Sequence, residues 1–122
     1  MIRVLTVDDQ RHFREAARAL VSMTPGFEVV GESESGETAV GLAQEVHPDM
    51  VLLDARMTGI DGIETARRLT VADPTRVIVL VSSADVRPLA PAARASGVAA
   101  VVPKQWLTPR FLRGLWIAHR RR

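Results

Sequence analysis

The sequence of 122 residues contains no cysteine and no long hydrophobic run. The absence of cysteine excludes disulfide scaffolds, thiolate metal sites and cysteine nucleophiles. The longest purely apolar runs, at residues 77–81 and 98–102, have the length of strands and fall far short of a membrane-spanning helix. Near the N-terminus, Asp8 and Asp9 come before any signal-peptide core could form. We therefore expect a cytoplasmic protein.

Lysine is nearly absent, because fifteen of the sixteen basic side chains are arginines and the single lysine is Lys104. The net charge of +2 conceals an uneven distribution, since residues 1–61 sum to −6 and residues 62–122 sum to +8. Outside residues 120–122, however, the basic side chains are scattered, which argues against direct nucleic-acid binding by this domain. The presence of lysine and not arginine at this one position suggests that its side chain has a chemical role.

Hydrophobic and amphipathic stretches alternate along the chain without linkers or repeats. A composition of 47% hydrophobic and 25% charged residues over this length predicts one folded domain at residues 1–122. Strands are predicted at residues 2–7, 27–31, 50–53, 76–81 and 98–102. Helices are predicted at residues 11–23, 36–46, 63–71, 88–96 and 109–119, the fourth weakened by Pro88 and Pro91. Apolar strands between amphipathic helices predict a doubly wound α/β fold, with a five-stranded parallel sheet covered on both faces.

Polar residues follow four of the five predicted strands. They are Asp8 and Asp9, Asp54, Ser82 and Ser83, and Lys104. Because ligands bind beyond the carboxyl ends of the strands in such sheets, we expect these side chains to converge on one rim. Clustered carboxylates repel one another and call for a cation with all-oxygen ligands, Mg²⁺ or Mn²⁺. The hydroxyl and ammonium groups suit phosphoryl oxygens, and one carboxylate is a candidate nucleophile.

Each of these residues also has an ordinary structural explanation when it is considered alone. An Asp after a strand is usually a turn or helix-cap residue, and a single Lys at a strand end is usually a solvated charge. Their convergence at independent strand ends favours a functional site. The three histidines, by contrast, share no metal-ligand spacing and are interpreted as surface residues: His12, His47 and His119.

Several motifs, in order along the chain, carry a resemblance to a known family. They are Val-Asp-Asp at residues 7–9, Asp-Ala-Arg-Met-Thr-Gly-Ile-Asp-Gly at 54–62, Val-Leu-Val-Ser-Ser-Ala at 79–84, then Gly97 and Lys104. With them the chain resembles, from about residue 2 to residue 119, the response-regulator receiver domain of two-component signalling. Residues 54–62 are most similar to receivers that precede a helix-turn-helix output domain. The resemblance implies a flavodoxin-like (βα)5 fold with the strand order 2-1-3-4-5.

The resemblance also implies a metal site and a phosphorylation site. Asp54 would accept a phosphoryl group from the phosphohistidine of a histidine kinase. Asp9 and Asp54 would ligate Mg²⁺ or Mn²⁺ directly, together with the backbone carbonyl of Arg56. Asp8 would act mainly through water.

The remaining residues of the rim would bind the phosphoryl group. The Ser82 hydroxyl would bond a phosphoryl oxygen, the Lys104 ammonium would pair with the phosphate charge, and the backbone N–H groups of Ala55 and Ser83 would assist. Such a domain catalyses its own phosphorylation and dephosphorylation and does not act as an enzyme on an outside substrate.

Four features depart from the family's pattern. Thr58 replaces the proline that is usual after the phosphorylation site, Gln105 replaces a proline after the lysine, and two prolines after Asp85 make the fourth helix unusual. Val101 stands where receivers carry an aromatic switch residue on the fifth strand. Because valine cannot follow a moving Ser82 hydroxyl as a ring does, we hypothesise that the active state is read through loop shifts or dimerisation.

Aromatic residues are concentrated near the end of the chain. Three of the five lie within its last 17 residues: Trp106, Phe111 and Trp116. We expect part of this group, Trp116 in particular, to pack on the sheet. An exposed member would mark a partner surface or a homodimer through the last helices, because aromatic residues are enriched at interfaces.

The sequence leaves more than one functional setting open. The chain is either the receiver portion of a longer DNA-binding regulator, with an output domain after residue 122 that controls transcription, or a free-standing receiver that passes phosphoryl groups or binds another protein. A receiver-like interaction domain that is never phosphorylated is a further alternative, which the complete set of rim residues disfavours. An enzyme of the haloacid-dehalogenase type is least favoured, because its Asp-x-Asp motif is missing.

Overall fold

The computed structural model describes residues 1–57 and 59–120. Five strands alternate with five helices: β1 (Ile2–Val7), α1 (Arg11–Ser22), β2 (Phe27–Ser33), α2 (Gly36–Val46), β3 (Met50–Asp54), α3 (Gly62–Ala72), β4 (Val77–Ser82), α4 (Ala90–Ala95), β5 (Ala100–Pro103) and α5 (Pro109–His119). This order confirms the predicted alternation. None of the helices in the described ranges is long and apolar enough to cross a membrane.

The strands form one parallel sheet in the order β2-β1-β3-β4-β5, as predicted. The chain places β2 on one side of β1 and then crosses to β3 on the other side, so the winding reverses between β1 and β3. In such sheets the connections after these two strands diverge and leave a crevice at their carboxyl ends. Val7 of β1 pairs with Leu53 of β3, so the residues that follow them, Asp8 and Asp54, lie at the same level.

Alternating side chains on the strands build one hydrophobic core on each face of the sheet. On β3, Met50 and Leu52 belong to one core, whereas Val51 and Leu53 belong to the other. The first, called here the α1/α5 core, is completed by helix residues Leu20, Val21, Leu112 and Leu115. The second, the α2/α3/α4 core, is completed by helix residues Ala39, Ala43, Ala66, Leu69 and Ala93. Helices on both faces confirm the doubly wound architecture.

The structure differs from the predicted boundaries mainly between β4 and α5. Helix α4 has only six residues and follows a separate 3₁₀ turn, Arg87–Leu89, as its two prolines lead one to expect. Strand β5 begins two residues later than predicted, because the Val98 N–H donates to the Ala93 carbonyl and closes the end of α4. A further 3₁₀ turn, Lys104–Trp106, was not predicted.

Candidate functional site

Three carboxylates meet at the carboxyl ends of β1 and β3. Asp8 and Asp9 follow β1, Asp54 ends β3, and one carboxylate oxygen of each lies within 4.8 Å of the other two. Asp8 and Asp54 are buried and Asp9 is half-buried. The loop after β1 is fixed by Asp8, whose N–H donates to the Ser33 carbonyl and whose Oδ1 accepts the Gln10 N–H, each at 3.0 Å. The structure therefore brings the three predicted acidic residues into one cluster.

Lys104 enters this cluster from the 3₁₀ turn after β5. Its Nζ lies 2.7 Å from Asp8 Oδ2 and 3.6 Å from Asp54 Oδ1. The same ammonium lies 3.5 Å from the centre of the Phe13 ring, which is close enough for a cation–π interaction. The lysine side chain is only 12% exposed, so water screens these interactions weakly. The single lysine of the chain is thus held by two carboxylates and one aromatic ring.

The surroundings of Asp54 make its negative charge costly. Burial and the neighbouring Asp8 raise its pKa from 3.8 to about 6, with a smaller contribution from Asp9. Lys104 and the N–H of Arg56, which donates to Asp54 Oδ1 at 3.3 Å, act in the opposite direction. The carboxylate therefore lies in a site whose positive charge falls short of its negative charge.

Strand β4 places a hydroxyl group on the other side of Asp54. Val81 pairs with Asp54 across the sheet, so Ser82 lies one residue beyond the level of the aspartate. Ser82 is buried, and its Oγ accepts the N–H of Ala84 at 3.1 Å. Ser83, the next residue, is exposed. The rim therefore carries carboxylates on the β1 side and a hydroxyl on the β4 side of the central strand.

The backbone after Asp54 differs from the expectation for Ala55. The Ala55 N–H donates to the carbonyl of Val81 at 2.9 Å and is already committed to that bond. The next N–H, that of the exposed Arg56, is the one directed at the Asp54 carboxylate. The assignment of a phosphoryl-binding role to the Ala55 N–H gains no support from this arrangement, and the Arg56 N–H is better placed.

The loop between β3 and α3 is held from two sides. A Cβ atom at Gly62 would collide with the Asp54 carbonyl and lie 2.8 Å from the Cα of Ala55, so glycine is required for this close approach. On the other side, Glu37 of α2 accepts the N–H of Ile60 at 2.9 Å, a bond that lowers the pKa of Glu37 below its ordinary value. These contacts fix the segment that carries Asp54. Thr58, whose substitution for proline was noted above, lies outside the described residues.

The positions that depart from the family's pattern lie beside the cluster. Val101 on β5 is half-buried and packs against the α2/α3/α4 core. Gln105 is exposed within the Lys104–Trp106 turn, and every described peptide bond, including the one that follows Lys104, is trans.

The aromatic residues near the end of the chain divide between core and surface. Trp116 and Phe111 are partly buried and pack against the α1/α5 core, as expected for Trp116. Trp106 is 58% exposed and its ring meets that of Phe111 edge-on, with 6.2 Å between centres. Ile117 on α5 is also exposed. An apolar surface therefore remains uncovered at the start and outer side of α5.

Three residues near the cluster were not identified from the sequence as site residues. Phe13 lies in the first predicted helix, and its ring contacts the Lys104 ammonium. Arg14 donates from Nη1 to the Asp8 carbonyl at 2.7 Å, and Glu37 holds the loop after Asp54. The position of Phe13 and Arg14 soon after Asp9 was an available signal, whereas the contact of Glu37 with Ile60 spans 23 residues and has no local signature.

The donor set of the cluster fits a hard divalent cation. Mg²⁺ prefers oxygen ligands and usually binds through one or two carboxylates together with water. The cluster offers carboxylate oxygens within 4.8 Å of one another. The raised pKa of Asp54 reflects its burial first and then the neighbouring negative charge, which Lys104 only partly offsets. A cation at this position would relieve the repulsion.

A comparison with protein families agrees with the fold. The family model described as the response regulator receiver domain matches residues 4–114, nearly the whole chain. The chain belongs to this family. As a receiver it is a module of two-component response regulators, as the motifs around Asp9, Asp54 and Lys104 implied.

Transcriptional regulators are among the relatives of this chain. The chain is 35% identical over 104 residues to the response regulator GacA of Pseudomonas aeruginosa, and the aligned residues make up 85% of this chain and 49% of GacA. The chain is also 41% identical over 87 residues to the transcriptional regulatory protein LiaR of Bacillus subtilis, and the aligned residues make up 70% of this chain and 41% of LiaR. These similarities confirm the likeness to receivers of the helix-turn-helix output subfamily. The chain spans about half or less of the length of these relatives.

A solved structure shows the same likeness in three dimensions. A two-component response regulator of the LuxR family from Aurantimonas sp. SI85-9A1 superposes on this receiver with a TM-score of 0.87 at 29% sequence identity. The superposition covers 97% of this chain and 86% of the other.

Proposed function

We propose that this receiver is a phosphorylation switch with Asp54 as the acceptor. A carboxylate oxygen of Asp54 attacks the phosphorus of a phosphohistidine on a histidine kinase. The new O–P bond replaces the N–P bond, and the leaving imidazole takes up a proton. Hydrolysis of the aspartyl phosphate later returns the receiver to its resting state. The chain thus catalyses its own modification and no reaction on an outside substrate.

The position of Asp54 at the end of the central strand carries this proposal. Asp8 and Asp9 lie on its β1 side and Ser82 lies on its β4 side, so the acceptor has carboxylates on one side and a hydroxyl on the other. Lys104 Nζ, 3.6 Å away, is within reach of a phosphoryl group attached to Asp54. The Ser82 hydroxyl is expected to bond a phosphoryl oxygen, assisted by the N–H of Ser83.

Mg²⁺ or Mn²⁺ would be held by the carboxylates of Asp9 and Asp54 and by the carbonyl of Arg56, with Asp8 acting through water. When bound, the ion would supply positive charge that offsets the negative charge of the acceptor carboxylate and of the phosphoryl group. Lys104 contributes part of the same charge from the protein itself, because phosphoryl transfer depends mainly on positioning and charge stabilisation.

The output is proposed to be dimerisation or a loop shift that controls transcription. Val101 offers no ring to move when Ser82 changes its bonding, so the change must pass through the loops that carry Ser82 and Lys104. The turn Lys104–Trp106 leads directly from the site to the exposed apolar surface of α5. A homodimer through that surface would connect phosphorylation to a DNA-binding output domain after residue 122, in keeping with the transcriptional regulators among the relatives.

The proposal is tested by intact mass measurement after incubation with Mg²⁺ and acetyl phosphate. We expect one labile phosphoryl adduct on the wild type and none on Asp54→Asn or on wild type in EDTA. Asp85→Asn, which alters an exposed carboxylate that does not belong to the cluster, serves as the matched control and is expected to retain the adduct.

Failure to form an adduct with acetyl phosphate and with a second small phosphodonor would overturn the proposal. The alternative would then be a receiver-like interaction domain that acts through its apolar α5 surface. An adduct that persists in Asp54→Asn would instead place the acceptor elsewhere.

A further inference from the structure

The ring of Phe13 lies against the Lys104 ammonium. Nζ is 3.5 Å from the centre of the ring, 2.7 Å from Asp8 Oδ2 and 3.6 Å from Asp54 Oδ1. Of the two carboxylates, Asp8 is at hydrogen-bond distance and Asp54 lies just beyond it. The ammonium is therefore held by one hydrogen bond and one ring face, next to the proposed acceptor.

The first turn of α1 fixes the ring relative to the cluster. The Phe13 N–H donates to the Gln10 carbonyl at 3.1 Å, and Arg14 Nη1 donates to the Asp8 carbonyl at 2.7 Å. The His12 ring contacts the Phe13 ring, with 4.3 Å between their centres. Because α1 is tied in this way to the loop that carries Asp8, the ring and the Asp8 carboxylate keep a fixed spacing, and the ammonium lies between them.

Space beside the cluster gives the lysine an alternative position if the ring is lost. A cavity of about 180 Å³ flanks the cluster, and Phe13, Leu107 and Lys104 are among the residues that line it. The four-carbon stem of a lysine is flexible and its ammonium is strongly hydrated. A smaller, non-aromatic side chain at position 13 would widen this cavity and admit water. The ammonium would then spend less time at the carboxylates.

We propose that Phe13 is a positioning residue for phosphoryl transfer, because its ring keeps the Lys104 ammonium beside Asp54 before the phosphodonor arrives. This inference rests on the proposed function, since it gives Phe13 a part in the reaction of Asp54. Phosphoryl transfer depends mainly on positioning and charge stabilisation, so an ammonium that is already in place lowers the barrier. Phe13 acts through Lys104 and not by contact with the phosphoryl group.

The first measurement is the rate of adduct formation with acetyl phosphate and saturating Mg²⁺, followed by intact mass. Phe13→Leu is expected to be about threefold to tenfold slower than the wild type, the range that loss of a cation–π contact supplies. Pentafluorophenylalanine in place of Phe13 keeps nearly the shape of the ring but removes the negative charge of its face, and is expected to be as slow as Phe13→Leu. Phe111→Leu removes a ring that packs against the α1/α5 core and is expected to keep the wild-type rate. Thermal unfolding verifies that each variant is folded at the assay temperature.

A second measurement tests the contact without any phosphorylation. Lys104 is the only lysine, so ¹³C-labelled lysine gives a single set of side-chain signals. The face of an aromatic ring shields nearby protons, so the methylene protons next to Nζ are expected upfield of those of an unstructured lysine. This shift should disappear in Phe13→Leu and persist in Phe111→Leu.

The outcomes separate this inference from the proposed function. A lysine signal without an upfield shift, or one unchanged in Phe13→Leu, would overturn the positioning role whether or not Asp54 is phosphorylated. Equal rates in the wild type and Phe13→Leu would overturn that role and leave Asp54 as the acceptor. A wild-type rate in the fluorinated variant beside a slow Phe13→Leu would replace the ring face by mere bulk and overturn the role as well. A shifted signal in a wild type that forms no adduct would overturn the proposed function, and with it the part of Phe13 in transfer.

Discussion

Lys104 Nζ lies nearer to Asp8, at 2.7 Å, than to Asp54, at 3.6 Å. In the unphosphorylated receiver the lysine is therefore paired mainly with the neighbour of the proposed acceptor. Both partners of this ion pair are largely buried, at 12% and 8% side-chain exposure, and loss of one partner would leave the other charge without compensation. The pair thus affects stability as well as chemistry.

The first prediction concerns removal of this lysine. Lys104→Met is expected to lower the free energy of unfolding by about 3 kcal/mol at neutral pH in EDTA, because it leaves three clustered carboxylates without their cation. Urea unfolding followed by circular dichroism measures the change. Arg87→Met breaks an exposed ion pair with Asp85 and is expected to change stability little. Equal losses in the two variants would contradict the importance of burial.

The second prediction concerns pH. Because the pKa of Asp54 is raised to about 6, the folded protein binds this proton more tightly than the unfolded chain does. The resulting stabilisation is complete below the unfolded pKa near 4 and is lost as the pH rises through 6. In EDTA, Asp54→Asn is expected to exceed the wild type in stability at neutral pH by on the order of 2 kcal/mol, and the excess should shrink towards pH 4. An excess that is independent of pH between 4 and 7 would contradict the shifted pKa.

The third prediction concerns divalent cations. Mg²⁺ at about 100 times its dissociation constant is expected to raise the free energy of unfolding of the wild type by about 2.7 kcal/mol. Asp9→Asn is expected to lose most of this gain, whereas Asp85→Asn keeps it. Thermal unfolding over a series of Mg²⁺ concentrations measures the effect, and an undiminished gain in Asp9→Asn would argue against Asp9 as a ligand.

The fourth prediction compares two glycines that both lie in helices. Gly62→Ala is expected to lower stability by about 1–3 kcal/mol, because the added methyl collides with the backbone that carries Asp54. Gly41→Ala, in the middle of α2, meets nothing within 4 Å and is expected to raise stability by about 0.5–1 kcal/mol. Changes of the same sign in both variants would refute the close approach at Gly62.

The sequence predicted the fold and the place of the cluster because both follow from local patterns. Apolar runs ending in Asp9, Asp54 and Lys104 specify strands and the residues at their ends, and parallel strands necessarily bring those ends to one edge. The start of β5 was misplaced because Val98 and Ala99 look like strand residues, whereas Val98 is used to close α4.

Contacts that depend on three-dimensional distance were not predictable in the same way. The ring of Phe13 over Lys104 joins residues 91 positions apart, and nothing in either local sequence specifies it. The bond from Ile60 to Glu37 is of the same kind. The commitment of the Ala55 N–H to Val81 depends on how the end of β3 pairs with β4, a detail that residue types do not encode.

Trp106 shares a single turn with Lys104 and is more than half exposed, while Trp116 is partly buried on α5. These are the only two tryptophans, and the chain has no tyrosine. Its near-ultraviolet fluorescence therefore comes from the turn after the cluster and from the last helix. A Trp116→Phe variant would keep Trp106 as its only tryptophan, two residues from Lys104. The emission maximum and intensity of this variant would therefore report movement of the turn that carries Lys104.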